Sequence, residues 1–544
     1  MSAVPRRVLV IGLDGASFRL LAPWVAAGEL PELAALMDAG CHGELTSTVP
    51  ALTPPAWATF VTGKNPGKHG IFGFRALAAH GYASGDLVTA QSLRARTLWD
   101  IVGAAGRPVG AVNVPPAWPV RPVNGFMVAC LLAPPGATDI AWPPDVRDLL
   151  GPDYEIAIEP PRRLVRSAPD YRARCLEYLD HLRRLAERRI AVTERLVRER
   201  PWDLLGVVFY EPDRIQHFFW DYLCGGAPGD VDPAVAAEIA AAARPVYRLL
   251  DAGIGALVRA AGPDTAVVLV SDHGFGPAPT RLVRVNRWLV DAGYLRARRG
   301  WRLRRRLVRR LPARLRARWD TVDAAVDWGR TRAWCEVIEA RSAGVWLNLA
   351  GRQPEGRVAP GAEYERLREE IADGLAALTE GGRPVFELVA RREDVYQGPC
   401  TALAPDLVLT TAPRHGLRFD GVRPELRARA VFGPFVDAVW PFAGAHDPAG
   451  LYVFAGAGIA RRGRTAAAPL AALAPTILVL LGLPVPDGMD EAPLVGLLTP
   501  EARAALPVRS EPDVDPAPAD GDGYRSAAER AEVEARLRAL GYVE

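Results

Sequence analysis

Three short apolar runs constrain this chain more than any other feature: Val8-Leu-Val-Ile-Gly-Leu13, Leu204-Leu-Gly-Val-Val-Phe-Tyr210 and Ala266-Val-Val-Leu-Val270. Such runs, rich in β-branched residues and lacking polar alternation, read as strands buried on both faces, as in a parallel sheet covered by helices. Each stops at groups that can do chemistry: Asp14, then Glu211-Pro-Asp213-Arg-Ile-Gln-His217, then Ser271-Asp272-His273-Gly274. Ligands of open α/β sheets collect beyond the carboxyl ends of the strands. The expected architecture is α/β, a doubly wound, mostly parallel central sheet with helices on both faces, with these groups aimed into one crevice.

Each group also has a plainer reading. Asp272 and His273 offer a hard oxygen beside an imidazole nitrogen, a mixture that suits zinc or another divalent transition metal, although Asp-His-Gly also makes an ordinary strand-to-loop corner. Asp213 and His217 are spaced i, i+4, so on a helix they project from one face and can bind one ion; a capping Asp with a core histidine is the alternative. Asp14 reads equally as a ligand or as a helix cap. Thr53-Pro54 reads as an N-cap followed by the first helical residue, with Gly63 as the stop. A hydroxyl there usually caps, yet the orphan amides of that helix end would also stabilise an alkoxide and a phosphate. Thr46, Ser47 and Thr48 are rivals for the same role. His446, in Gly444-Ala-His446-Asp447, sits on a loop beside the strand-like Leu451-Tyr-Val-Phe454. Lys64 and Lys68 are the only lysines in a chain that otherwise uses arginine.

Hydrophobic residues make up 49% and charged residues 24%, so the composition is that of a globular protein. A net charge of +3 supplies no global field for nucleic acid or membrane. Arg296 to Arg318 holds 12 arginines and no acid, with Trp301 and several leucines interleaved. That run could touch an anionic membrane surface; a solvated face of an inserted domain is the alternative. Six scattered cysteines without a C-x-x-C pair argue for reduced thiols. No apolar stretch reaches the ~20 residues of a membrane span, and the first is too short for a signal-peptide core. The expectation is a cytoplasmic protein. Its parts are residues 1–285 as the first part of a core, 286–435 as an inserted cap with the Arg-rich helix, 436–500 as the rest of the core, and 501–544 as a linker and C-terminal helix.

Together, Asp14, Thr53, Asp213/His217, Asp272-His273 and His446 resemble, in order and spacing, the metal-dependent alkaline phosphatase superfamily. The segments T-P-P-A-W-A-T-F-V-T-G-K-N-P-G-K-H-G-I and E-P-D-R-I-Q-H are similar to motifs of its type I phosphodiesterase/nucleotide pyrophosphatase branch, and the resemblance covers residues 6–280 and 436–495. It implies Thr53 as nucleophile, one divalent ion held by Asp14, Thr53, Asp272 and His273, and a second by Asp213, His217 and His446, with Zn2+ expected and Mn2+ as the alternative. It implies hydrolysis of a small-molecule phosphate ester, with a phosphodiester or pyrophosphate favoured because no third-metal carboxylate set is evident. A phosphomutase, a phosphomonoesterase or a membrane-surface transferase of phosphoryl groups are the alternatives. A sulfatase needs C-x-P-x-R or S-x-P-x-R, which Thr53-Pro-Pro-Ala-Trp57 does not supply. The branch places asparagine three residues after its nucleophile, where this chain has Ala56; Lys64, Asn65 or Asn113 are candidates to hold substrate instead. Oligomeric state is not legible.

Overall fold

The computed structural model describes residues 4–77, 80–82, 85–152, 154–161, 164–226, 228–301, 322–420, 425–426, 428, 430–434, 442–515 and 523–540. Most of the arginine-rich run, residues 302–318, lies outside them. The chain forms two compact units, one of Met1–Phe74, Leu87–Ala278 and Ala438–Glu544, the other of Arg75–Asp86 and Pro279–Asp437.

The first unit is built on a ten-stranded sheet. Its main strands are β1 (Arg7–Leu13), β2 (Cys41–Thr46), β3 (Val109–Val112), β4 (Gly125–Val128), β5 (Ala141–Trp142), β6 (Leu204–Phe209), β7 (Thr265–Val270) and β8 (Ala449–Gly456). They lie in the order β2-β8-β7-β1-β6-β3-β4-β5. The five strands from β7 to β4 run parallel, while β8 is antiparallel to β7 and β2, and β5 to β4. Residues 8–13, 204–209 and 265–270 are all buried, so an uninterrupted apolar run is what packing requires of them. Because Leu13 pairs with Phe209 and Gly12 with Val270, the three strands end side by side. Asp14, the turn at Glu211 and Ser271-Asp272-His273 therefore emerge at one edge, as the sequence pattern requires.

Helices α1 (Thr53–Thr62) and α2 (Glu211–Leu223) rise from that edge. Two 29-residue helices, Tyr171–Glu199 and Pro233–Ala261, pack on each other. After β1 come two helices, Phe18–Ala26 and Pro31–Ala39, separated by Gly28 at φ +75. The region read as a linker is partly ordered by pairing: Ser510–Glu511 forms a strand with Val485–Pro486. The final helix spans Ala527–Ala539.

The second unit holds an antiparallel sheet ordered Ala333–Glu339, Ser342–Leu347, Leu407–Thr411, Phe386–Arg391, with helix Ala362–Ala376 against it. Trp328, Trp334 and Trp346 form its aromatic centre, and Tyr82 stacks on Trp328 at 3.8 Å between ring centroids. In the same unit a short strand, Arg281–Val283, is followed by helix Val285–Asp291. Among the described residues no single helix is long and apolar enough to cross a membrane.

Candidate metal and phosphoryl-transfer site

Asp14 follows β1 directly, and Gly15 after it turns the chain at φ +70, a conformation that favours glycine. The Gly15 amide donates to Asp272 Oδ1 at 3.1 Å, tying the end of β1 to the end of β7. Ser47 Oγ donates to the Asp272 carbonyl at 2.6 Å and Thr48 Oγ1 to the Pro50 carbonyl at 2.6 Å, so two of the three rival hydroxyls are engaged elsewhere. On the β6 side, Glu211 opens α2 and is clamped by Arg189 at 2.8 Å, both side chains buried. That ion pair fixes the turn from which Asp213 and His217 project.

Thr53 is not the N-cap expected from sequence. Leu52 holds that position in an extended conformation, and Thr53 is the first helical residue. Pro54 and Pro55 fit this start because their missing N–H groups would be orphans there in any case. With the capping geometry gone, the Thr53 hydroxyl is free to face the sheet edge. Its Oγ1 lies 3.4 Å from His273 Nε2, and Thr53 is fully buried. Gly63 ends the helix in the left-handed conformation, as expected.

His446 arrives from a distant part of the chain. Gly444–Asp447 pairs antiparallel with Gly274–Pro277, setting His446 opposite Phe275 and stacking its ring on His273 at 3.8 Å between centroids. His446 Nε2 is 3.3 Å from Asp213 Oδ1 and 3.1 Å from His217 Nε2, and His217 Nε2 is 3.6 Å from Asp213 Oδ1. His273 Nε2 is 3.2 Å from Asp272 Oδ2 and 3.8 Å from Asp14 Oδ1. Two overlapping groups could each hold a metal ion: Asp213, His217 and His446, and Asp14, Asp213 and His273. Asp213 belongs to both. His446 Nδ1 approaches the Ala51 carbonyl at 3.2 Å and His273 Nδ1 the Gly274 carbonyl at 3.1 Å. Donation from each Nδ1 leaves the Nε2 lone pairs turned inward, the arrangement that orients imidazole ligands.

The electrostatics fit a cation. Burial first, then the Asp272 and Asp213 carboxylates, raises Asp14 well above the ordinary carboxyl range. Burial likewise raises Asp272, with Asp213 adding to it. Burial pushes Asp213 the same way, but His217 and Arg214, whose Nη2 lies 3.0 Å from Asp213 Oδ2, outweigh it and hold the carboxyl low. His217 is pushed down to about 3, chiefly by burial. Among the described residues, Asp14 Oδ1 and Asp272 Oδ2 are buried without a hydrogen-bond partner. Buried carboxylate oxygens without donors are costly alone and are satisfied by a divalent ion. The mixed oxygen and imidazole donor set suits zinc or manganese.

All seven residues singled out in the sequence, Asp14, Thr53, Asp213, His217, Asp272, His273 and His446, thus converge. The three substrate-binding candidates are engaged with partners outside that cluster. Lys64 follows the far end of α1, about 15 Å of helix from Thr53, and pairs with Asp513 and, at 2.5 Å, Asp515. Asn65 binds Asp490 at 2.9 Å. The Asn113 amide is held by the Ala129 carbonyl at 2.8 Å and the Tyr154 hydroxyl at 2.5 Å. Sequence reasoning did not find Trp57, which binds Asp14, or Ser47 as the support of Asp272. Only the i, i+4 spacing of Thr53 and Trp57 hinted that both share one face.

Fold and site together define a metal-dependent phosphoric ester hydrolase with an alkaline phosphatase-like α/β core. The family model described as type I phosphodiesterase/nucleotide pyrophosphatase matches residues 8–420, and the chain belongs to that family. Among solved structures, the chain is similar to phosphonoacetate hydrolase from Sinorhizobium meliloti 1021 in complex with phosphonoformate (TM-score 0.51, 17% identity, covering 83% of this chain and 91% of that one). It is also similar to murine ectonucleotide pyrophosphatase/phosphodiesterase 5 (TM-score 0.45, 14% identity, covering 91% of this chain and 100% of that one). At such identities the phosphonoacetate hydrolase likeness speaks for the fold. No curated protein matches the sequence.

Proposed function

We propose that the chain hydrolyses a phosphodiester or pyrophosphate through a phosphoryl-threonine intermediate at Thr53. The observation that carries this reading is the approach of Thr53 Oγ1 to His273 Nε2 inside a buried set of three carboxylates and three imidazoles. Asp14, Thr53, Asp272 and His273 would hold one divalent ion and Asp213, His217 and His446 the other. Zn2+ is the expected ion and Mn2+ the alternative. When bound, such a pair supplies Lewis acidity at the attacking and leaving oxygens of an in-line displacement. Thr53 Oγ1 attacks phosphorus as its proton leaves, the bond from phosphorus to the leaving oxygen breaks, and water then cleaves the threonine ester. The buried walls exclude competing water from the first step. Phosphodiester over monoester is supported by the family to which the chain belongs. A cytoplasmic setting is supported by six cysteines of which none forms a disulfide among the described residues.

The test is turnover of a bis-aryl phosphate against an aryl monophosphate in metal-replete protein, beside Thr53→Ala. Faster diester cleavage, with a loss of at least about 10³-fold in the variant, is expected. Parental rates in Thr53→Ala would end the nucleophile assignment, and preferred monoester cleavage would end the diester one.

A further inference from the structure

The indole of Trp57 is fully buried, and its Nε1–H donates to Asp14 Oδ2 at 3.1 Å. Asp14 Oδ1, the other oxygen of the same carboxylate, lies 3.8 Å from His273 Nε2 and has no hydrogen-bond partner among the described residues. The indole therefore occupies one oxygen and leaves the other turned toward the cluster. Trp57 is one helical turn beyond Thr53 on α1, on the same face. Its ring is held in place by an edge-on contact with Phe60, at 5.5 Å between centroids. Beneath the ring is Gly12 of β1, where a Cβ would lie 2.5 Å from Trp57 Cη2 and 2.8 Å from Val208 Cγ2. The glycine inside the otherwise branched Val8–Leu13 strand is thus the clearance the indole needs to reach Asp14.

We propose that Trp57 is a positioning residue of the metal centre: it selects the Asp14 oxygen that faces the ion and couples the placement of that carboxylate to the helix carrying Thr53. This rests on the assignment of Asp14 as a ligand. A tryptophan buried for packing alone needs some acceptor for its N–H. Here the acceptor is one oxygen of a carboxylate whose other oxygen points into the donor cluster. Outer partners that orient a ligand change metal affinity by about 10–100-fold when removed.

The experiment is competition for Zn2+ between the full chain and a chelator, with metal content read directly, together with melting of the metal-free protein. Trp57→Phe keeps a ring and loses the N–H. It is expected to release zinc at chelator concentrations about 10–100-fold lower than the parent, while the metal-free melting temperature changes little. Gly12→Ala displaces the indole without removing its N–H and is expected to weaken zinc binding in the same direction. Parental zinc retention in both variants overturns the proposal. If neither variant folds, the parent decides: the Trp57 indole proton resonance should shift when zinc is added, and an unmoved resonance overturns the proposal. Asp14→Asn separates the two levels. If it binds zinc like the parent, the assignment of Asp14 as a ligand fails; if it loses zinc while Trp57→Phe does not, only the role of Trp57 fails.

Discussion

Each compact unit buries an acidic side chain completely, and the two are treated in opposite ways. In the second unit, Asp406 accepts from Arg352 Nη1 at 2.7 Å and Tyr364 Oη at 2.6 Å on one oxygen, and from Arg352 Nη2 at 2.6 Å and the Leu347 amide at 2.7 Å on the other. Arg392 adds a second cation at 3.3 Å. In the first unit, Asp14 and Asp272 each keep one buried oxygen with no donor among the described residues, and burial with neighbouring carboxylates pushes both upward. A buried charge whose lone pairs are all satisfied holds a fold together; one left open faces something the chain does not provide. The contrast separates scaffold from site without reference to any relative.

The strongest way to break this contrast is Asp213→Ala. Asp213 belongs to both candidate metal groups, so the substitution should lower turnover by at least about 10³-fold and reduce bound metal at both positions. Metal content unchanged from the parent would remove Asp213 from the centre. Next comes Asp406→Asn, which leaves buried guanidinium charge undercompensated and should cost about 3 kcal/mol by denaturant unfolding. It should leave zinc affinity unaltered, and a parallel loss of zinc would erase the distinction between the two regions.

In the opposite direction, Asp14→Asn should make the chelator-treated protein more stable, by on the order of 1 kcal/mol. The pH dependence follows the same sign. Because the Asp14 and Asp272 carboxyls sit above their ordinary value of 3.8 in the fold, the folded chain binds protons that the unfolded chain releases. Their contribution is fully present below 3.8 and declines as pH rises through the raised values. Denaturant melts of the metal-free parent between about pH 4 and pH 7 should therefore fall with pH more steeply than those of Asp14→Asn. Equal slopes would mean that Asp14 is not a site of stored repulsion. The smallest effect is that of Ser47→Ala, which removes the bond to the Asp272 carbonyl and should cost about 1 kcal/mol with a modest loss of zinc. A change in neither would make that hydroxyl incidental.

The doubly wound core and the side chains gathered at its carboxyl edge were legible because they rest on local rules. A strand buried on both faces must be apolar throughout, so its first polar residue marks its end, and Asp14, Asp272 and the turn at Glu211 were found that way. The i, i+4 relation of Asp213 and His217 needed only a helix. Lys64 and Asn65 were misread because their partners, Asp513, Asp515 and Asp490, lie more than 400 residues away. A cation that looks available beside a phosphate-site motif is engaged once the C-terminal segment folds back on it. Thr53 as N-cap failed for a smaller reason: a one-residue shift of the helix start sends the hydroxyl to His273 rather than to its own backbone.

By itself, the amino-acid order determined which side chains stand at the sheet's carboxyl edge, since strand burial and helical spacing depend on neighbours a few residues away. The tertiary structure alone decided that Asp213 lies within reach of both imidazole sets, that His446 arrives on a paired strand, and that Trp57 fills one Asp14 oxygen. Those are contacts between residues distant in the chain, fixed by how elements pack and by which buried polar atoms must find partners when water leaves.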